Sequence, residues 1–285
     1  MNYIVARTAP GIITPHVLAL GRWFLAGLIL ALIARNELWQ ERHDTLKAWR
    51  QYLVLGSLGM LICGAWVYWA AETTTAINIA LIYAASPVLI TLGAVVGLKE
   101  SFSWKQSVGV GIALLGVLHV VVQGQWAALS QVAWVLGDGL VVIAMIAWAA
   151  YALLLKKWAS PLSSTARLAA TCLGGSVVLL PFAFTEWYAT PHADWSFNAS
   201  LLVVAAAVFP GVGAYWSYGF CQKTLGASRV AVSLYLGPLY GGFVAWVFLG
   251  ETLGWHHAVG AAFILPGIYL ASHQPNINWQ KQTHE

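Results

Sequence analysis

Two prolines, Pro87 and Pro238, each fall at the midpoint of a long apolar run, with Tyr83 and Tyr235 about one turn before them. A proline within a helix removes one backbone hydrogen bond and displaces the carbonyl four residues earlier, here those of Tyr83 and Leu234. Carbonyls freed in this way can accept hydrogen bonds from a ligand ammonium; a kink that only shapes packing explains the same residues. Aromatic residues gather on the neighbouring runs, among them Trp66, Trp148, Tyr151 and Tyr215. An aromatic face attracts an ammonium by roughly 0.5–2 kcal/mol, which suits a site that must also release its ligand. For Tyr68, Trp69 and Tyr218, near the ends of their runs, an interfacial belt is the competing explanation. Arg22 lies about two turns inside an apolar run, where an unpaired arginine costs roughly 2.5–3.5 kcal/mol. It reads either as the partner of a ligand carboxylate or as a structural cap or snorkelling side chain. All of this is the chemistry of recognition. Neither a GxSG serine motif nor an HExxH metal motif occurs, which argues against an enzyme, and no cofactor or metal is implied.

The elements that must carry these residues follow from composition. The chain has 285 residues, 60% hydrophobic and only 8% charged, against roughly 25% charged in soluble domains. Spanning-length apolar runs cover 15–34, 52–71, 76–98, 106–123, 135–155, 164–184, 201–221, 227–249 and 257–271. Backbone groups in lipid must pair internally, so these runs are helices. Arg35, Arg42, Lys47, Arg50, Lys99, Lys105, Lys156, Lys157, Lys223, Arg229 and Lys281 fall on one side of the expected membrane, and only Arg7 on the other. By the positive-inside rule the first side is cytoplasmic. Cys63, Cys172 and Cys221 have no metal-ligand spacing and read as packing residues. Nucleic-acid binding has no basic stripe to support it.

Sliding the chain on itself brings Pro87 onto Pro238, Glu100 onto Glu251, Trp104 onto Trp255, Gly109 onto Gly260 and Gly116 onto Gly267, at an offset of 151 residues. At an offset of 149, GAWVYWAAETTT from Gly64 lies over GAYWSYGFCQKT from Gly213. Such a duplication of five-helix units, an odd number, inverts the second copy. The expected organisation is a first repeat over 1–123, a linking loop 124–134, a second repeat over 135–271, and a polar cytoplasmic tail 272–285. A crossing needs roughly 20 residues, so aligning Tyr3 with Tyr151 leaves about 14 residues of the first helix to precede Met1.

NYIVAR from Asn2, Arg22-Trp23-Phe24, the Pro87-to-Glu100 spacing and its copy Pro238 to Glu251, Gly137-Asp138, and WAAY from Trp148 resemble the drug/metabolite transporter superfamily, its EamA-type ten-helix exporters. The resemblance covers nearly the whole chain and departs at the N-terminus, where the family has a tryptophan-glycine pair before the asparagine. It implies an all-α membrane protein of ten helices, the first truncated, as two inverted five-helix repeats around a central cavity. It also implies export of small metabolites, often amino acids, and the aromatic richness looks most like the aromatic amino-acid exporters.

The expectation is thus an inner-membrane, multi-pass exporter with both termini cytoplasmic. Its partners are the lipid bilayer and a small neutral or zwitterionic substrate, amino acids with aromatic side chains above all, moved by alternating access; the sequence leaves the oligomeric state open, and a monomer would fit. The expected substrate contacts are Tyr83, Pro87, Tyr235, Pro238, Arg22, Trp66, Trp148, Tyr151 and Tyr215. Glu100 and Glu251 read as ties at helix ends, with Ser103 and Gln106 as a capping box beside the first. No Asp or Glu lies deep in a run, so the carboxylate of a proton-coupled carrier of organic cations is missing. His119, late in its run, reads as a packing residue near the interface. A multidrug or cationic-compound exporter and a channel are the alternatives within transport.

Overall fold

A computed structural model describes Val5 and residues 8–131, 134–190, 196–249 and 254–272. Among the described residues every regular element is helical and no strand occurs. Seven segments are long and apolar enough to cross a membrane: Pro15–Ile33, Trp49–Ala70, Asn78–Gly97, Trp104–Val121, Leu136–Lys157, Ser164–Ala189 and Phe197–Leu225. They match the first seven expected runs. The last two runs are also helical but are not such segments: 227–249 is divided, and 257–271 belongs to a helix that opens on Trp255, His256 and His257. Tyr3, Arg7, Glu251 and Lys281 lie outside the described residues.

In chain order the long first helix is α1 (Pro15–Ile33), followed by short α2 (Arg35–Gln40) and α3 (Arg42–Lys47). Next, α4 (Trp49–Gly56) continues through a π-helical stretch, Ser57–Trp66, into α5 (Val67–Ala70). The run 76–98 is two helices, α6 (Ala76–Tyr83) and α7 (Ser86–Gly97), and α8 (Trp104–Val121) closes the first half. The second half has α9 (Leu136–Lys157), α10 (Ser164–Ala189), and α11 (Phe197–Ala206), which runs through a second π-helical stretch, Ala207–Ala214, into α12 (Tyr215–Leu225). Then come α13 (Ala227–Ser233), a 3-10 turn (Leu234–Leu236), α14 (Gly237–Leu249) and α15 (Trp255–Ser272). Polar residues at the run boundaries start these helices: Thr75, Ser103, Ser163 and Ser196 each accept a backbone N–H from the first turn they cap. The expected capping box is formed, with Ser103 N–H donating to Gln106 Oε1 at 2.7 Å and Gln106 N–H to Ser103 Oγ at 3.3 Å.

The prolines differ from the sequence expectation. Helix α6 ends at Tyr83 and α7 restarts at Ser86, so Pro87 occupies the first turn of a new helix and not the middle of a kinked one. There its missing N–H belongs to a group that would have no intrahelical partner anyway. Pro238 likewise sits second in α14, after the 3-10 turn.

Helix ends are tied across the bundle by carboxylates. Helix α1 lies along α10, and each has its N-terminus held by a glutamate from the other's far end, Glu37 just past the end of α1 and Glu186 in the last turn of α10. Ser163 donates from N–H to Glu37 Oε1 at 2.5 Å and from Oγ to Oε2 at 2.6 Å. At the opposite end His16 and Val17 donate their N–H groups to Glu186 Oε2 at 2.8 and 3.2 Å. Glu37 and Glu186 are 149 residues apart, and so are the cap residues Thr14 and Ser163. Glu100 ties α13 in the same way: Ala227 N–H donates to Oε1 at 2.9 Å, and Ser228 donates from N–H and Oγ to Oε2 at 3.2 and 2.5 Å. Gly226 is required beside it, because its φ of 92° suits glycine and a Cβ there would lie 3.2 Å from Oε1. Asp138 is buried at the start of α9, where it accepts from Val135 N–H at 2.9 Å, from Asn78 Nδ2 at 3.1 Å and from Thr74 Oγ1. The repeat glycines make a further joint where α8 crosses α15. A Cβ on Gly116 would come within 2.9 Å of the Gly260 carbonyl, and one on Gly267 within 2.7 Å of the Gly109 carbonyl.

Two outcomes are expected in thermal unfolding of the detergent-purified protein. Burial works against charge on Glu100, but the hydrogen bonds from Ser228 and Ala227, with Lys156 nearby, outweigh it and hold the carboxyl below its ordinary range. Stability gained from this tie is therefore full above the unfolded value, near pH 4.3, and is lost as pH falls through the lower folded value. Glu100→Ala should cost about 1–2 kcal/mol at pH 7 and progressively less below pH ~4; an unchanged deficit at pH 3 would contradict this. Gly116→Leu should cost about 1–3 kcal/mol by overpacking the crossing. The same change at Gly111, with nothing within 4 Å of its Cβ position, should be close to neutral.

Candidate functional site

Aromatic rings from three spans meet in one cluster. Trp148 and Tyr151 are three apart on α9, hence on one face, and stack with ring centroids 5.4 Å apart. Tyr215 and Tyr218, with the same spacing on α12, complete it: Trp148 lies 5.4 Å from Tyr215 and 5.0 Å from Tyr218, and Tyr151 lies 5.9 Å from Tyr215. Trp23 of α1 meets Tyr215 edge-on at 4.7 Å. Edge-on and offset contacts of this kind add about 0.5–1.5 kcal/mol each beyond burial, so the rings hold one another in place. The first π-helical stretch contributes an acceptor, since Tyr215 Oη donates to the Gly59 carbonyl at 3.0 Å.

A cavity of about 230 Å³ opens beside this cluster between α9, α10 and α12. Tyr151 and Tyr215 form its aromatic side, Arg167, Thr171 and Gln222 its polar wall, and Lys156 and Lys223 its rim. Gln222 is fixed by donating from Nε2 to the Ala152 carbonyl at 2.8 Å. Arg167 donates from Nη2 to the Trp158 carbonyl at 2.5 Å, while its Nε is buried with no hydrogen-bond partner. Among the described residues lining the cavity there are three cationic side chains and no Asp or Glu. The cavity thus combines ring faces with positive charge, at the bundle end that also carries the Glu37 and Glu100 ties.

Of the nine expected contacts, Tyr151 and Tyr215 line the cavity and Trp148 backs them. Arg22 is buried and engaged by the protein: Nη1 donates to Tyr68 Oη at 2.8 Å, Nη2 to the Pro210 carbonyl at 3.2 Å, and the guanidinium lies 4.2 Å from the Trp23 ring centroid. Pro210 belongs to the second π-helical stretch, so both stretches supply carbonyls to side chains, a common use of π-bulges. Trp66 packs on the core around Trp23 and Met60. Tyr83 lies within electrostatic reach of Cys63 and Tyr215, toward the same cluster. Pro87 is buried at the start of α7, and Tyr235 is buried in a separate core with Ala84, Val117 and Ile264. Pro238, just beyond Tyr235 at the start of α14, does not line the cavity either.

Arg167, Gln222 and the two rim lysines were absent from the expected contacts. Arg167 reads in sequence as a snorkelling residue and the lysines as orientation markers. A signal existed: Ser164, Arg167 and Thr171 recur at helical spacing as a polar stripe on an otherwise apolar helix. His119 packs between aromatic residues, accepting from Trp126 Nε1 at 3.2 Å with Trp255 5.2 Å away. Among the described residues no group of His, Cys, Asp and Glu could hold a metal ion.

Comparison with known proteins agrees with this helical fold. Over 276 residues the chain is 24% identical to an uncharacterized transporter of Bacillus subtilis, YyaM, covering 95% of this chain and 88% of that one. It is 28% identical over 255 residues to a probable terminal-alkyne amino-acid exporter of Streptantibioticus cattleyicolor (89% and 82% covered). Over 284 residues it is 23% identical to an S-adenosylmethionine/S-adenosylhomocysteine transporter of Chlamydia trachomatis (96% and 85% covered). A solved crystal structure shares the fold with a TM-score of 0.75 at 18% identity, covering 94% of this chain and 91% of that one. The EamA-like transporter profile matches residues 1–122 and 135–273, and the chain belongs to the EamA-like transporter family.

Proposed function

We propose that this membrane transporter exports small neutral or zwitterionic metabolites, specifically amino acids with aromatic or large apolar side chains, by alternating access. The observation that carries the reading is the cavity itself. Its volume of about 230 Å³ is below the roughly 300–1,000 Å³ of drug-sized sites, and it offers two tyrosine rings to a side chain. Positive charge on its wall and rim disfavours cationic drugs. The amino-acid exporter among the relatives supports the same class.

In this reading the ten helices form two inverted five-helix repeats. Support comes from matched positions that play matched parts: the Glu37 and Glu186 ties at one offset, the crossing glycines, and π-helical stretches at Ser57–Trp66 and Ala207–Ala214. The lysine-bearing end faces the cytoplasm of an inner membrane, with both termini on that side, as the positive-inside rule requires. The cavity then opens toward the cytoplasm, where an exporter must load. Transport follows the substrate gradient without proton coupling, and no step of the reading calls for enzyme chemistry.

Proteoliposomes preloaded with phenylalanine or tryptophan should show saturable counterflow, equal with and without a pH gradient. Acceleration by the gradient would refute the uncoupled mechanism, and a flat response to every amino acid would refute the cargo. Tyr151→Ala and Tyr215→Ala should each lower counterflow by about tenfold, the loss of roughly 1.4 kcal/mol of ring contact. Pro87→Ala, which lets α6 and α7 join, should reduce flux at normal expression; wild-type flux would show that the break is dispensable.

A further inference from the structure

The cavity's charged groups bear on which end of a substrate docks where. Arg22, deeper in the fold, is committed to Tyr68 Oη, the Pro210 carbonyl and the Trp23 face. Arg22 also lies outside the cavity lining. Arg167 differs. One donor is anchored on the Trp158 carbonyl, which fixes the side chain, and Nε is buried without a partner. Buried donors left unmade are costly, and a carboxylate is the acceptor whose geometry matches a guanidinium edge. Tyr151 and Tyr215 line the same cavity as Arg167, with Thr171 one helical turn further along α10. Lys156 and Lys223 stand at the rim, where exposed like charges raise the local concentration of anions. Glu100, the carboxylate close enough to Lys156 to be influenced by it, is itself held by Ala227 and Ser228.

We propose that Arg167, with Lys156 and Lys223 at the entrance, forms a carboxylate-binding subsite of the cavity, so that aromatic substrates are recognised as carboxylates and their decarboxylated amines are rejected. This rests on the export reading above for its biological setting, but the subsite can be tested by binding alone. Arg167 thereby takes the role that sequence reasoning offered to Arg22.

The test uses the full chain purified in detergent, with binding followed by calorimetry for three probes: 3-phenylpropionate, phenylalanine and 2-phenylethylamine. Wild type should bind the two carboxylates at least tenfold more tightly than the amine. Arg167→Gln should weaken phenylpropionate at least tenfold and leave the amine unchanged, and Arg167→Lys should recover part of the loss. Lys156→Gln with Lys223→Gln should slow association and flatten its salt dependence. Equal wild-type affinity for amine and carboxylate, no wild-type binding of phenylpropionate, or undiminished phenylpropionate binding by Arg167→Gln would each overturn the subsite. Should Arg167→Gln fail to fold, the wild-type comparison of acid with amine and the Arg167→Lys protein still decide it. Phenylpropionate binding without amino-acid counterflow in liposomes would remove the export reading and leave the subsite standing.

Discussion

The constraint on which this structure depends is that helix N-termini within an apolar bundle must find acceptors for their first N–H groups, where water is scarce. The protein meets it with carboxylates brought from elsewhere in the chain. Glu37 serves the start of α10, Glu186 the start of α1, and Glu100 the start of α13. Each glutamate also brings negative charge to the positive end of a helix dipole. Because the ties join distant segments, they fix which helices lie together as well as where each begins. The reciprocal pair on α1 and α10 holds those helices at both ends, and the α10 so placed carries Arg167 into the cavity.

The same need for internal partners organises the middle of the bundle. Two π-helical stretches leave carbonyls outside the regular ladder, and side chains take them up: Tyr215 Oη on Gly59 and the Arg22 guanidinium on Pro210. Those bonds position Tyr215 within the aromatic cluster and place Arg22 beside Trp23, which meets Tyr215 in turn. An irregular backbone thus acts as scaffold for the rings, and the one deep arginine stabilises that scaffold.

Much of this was legible in the sequence, for reasons that differ by residue. Spans followed from apolar length, and the start of α8 from the Ser103 and Gln106 capping box. Glu100 was recognisable as a tie because it closes one helix just before another begins, though its partner α13, over a hundred residues away, was not. The first π-helical stretch has no local signature: Ser57–Trp66 contains no proline, and its sequence reads as an ordinary apolar helix, whereas the second carries Pro210. Prolines drew attention to Tyr83 and Tyr235, yet a proline in a first turn leaves its helix undisturbed. Arg167 reads in sequence as a snorkelling side chain, because depth along a helix says nothing about which neighbour faces it; its place in the cavity lining appears only in the fold. Tyr151 and Tyr215 were found because large rings in apolar runs have few places to go other than against each other.

These features also constrain how the protein can move. Separating α1 from α10 at either end breaks carboxylate hydrogen bonds at a helix start, and the close glycine contacts of α8 on α15 leave no room to slide without repacking. The helix ladder is already interrupted elsewhere, at Ala84-Ala85 between α6 and α7 and at Leu234–Leu236 between α13 and α14. Bending there sacrifices fewest hydrogen bonds, so the two broken helices are the cheapest joints in the bundle. Tyr83 ends one of them and lies toward the aromatic cluster, while Tyr235 sits within the other joint, packed against α8 and α15. The packing of Tyr235 couples the second joint to the rigid crossing of α8 and α15. The rings and cations that line the cavity and the joints at which the helix ladder is broken are distinct sets of residues.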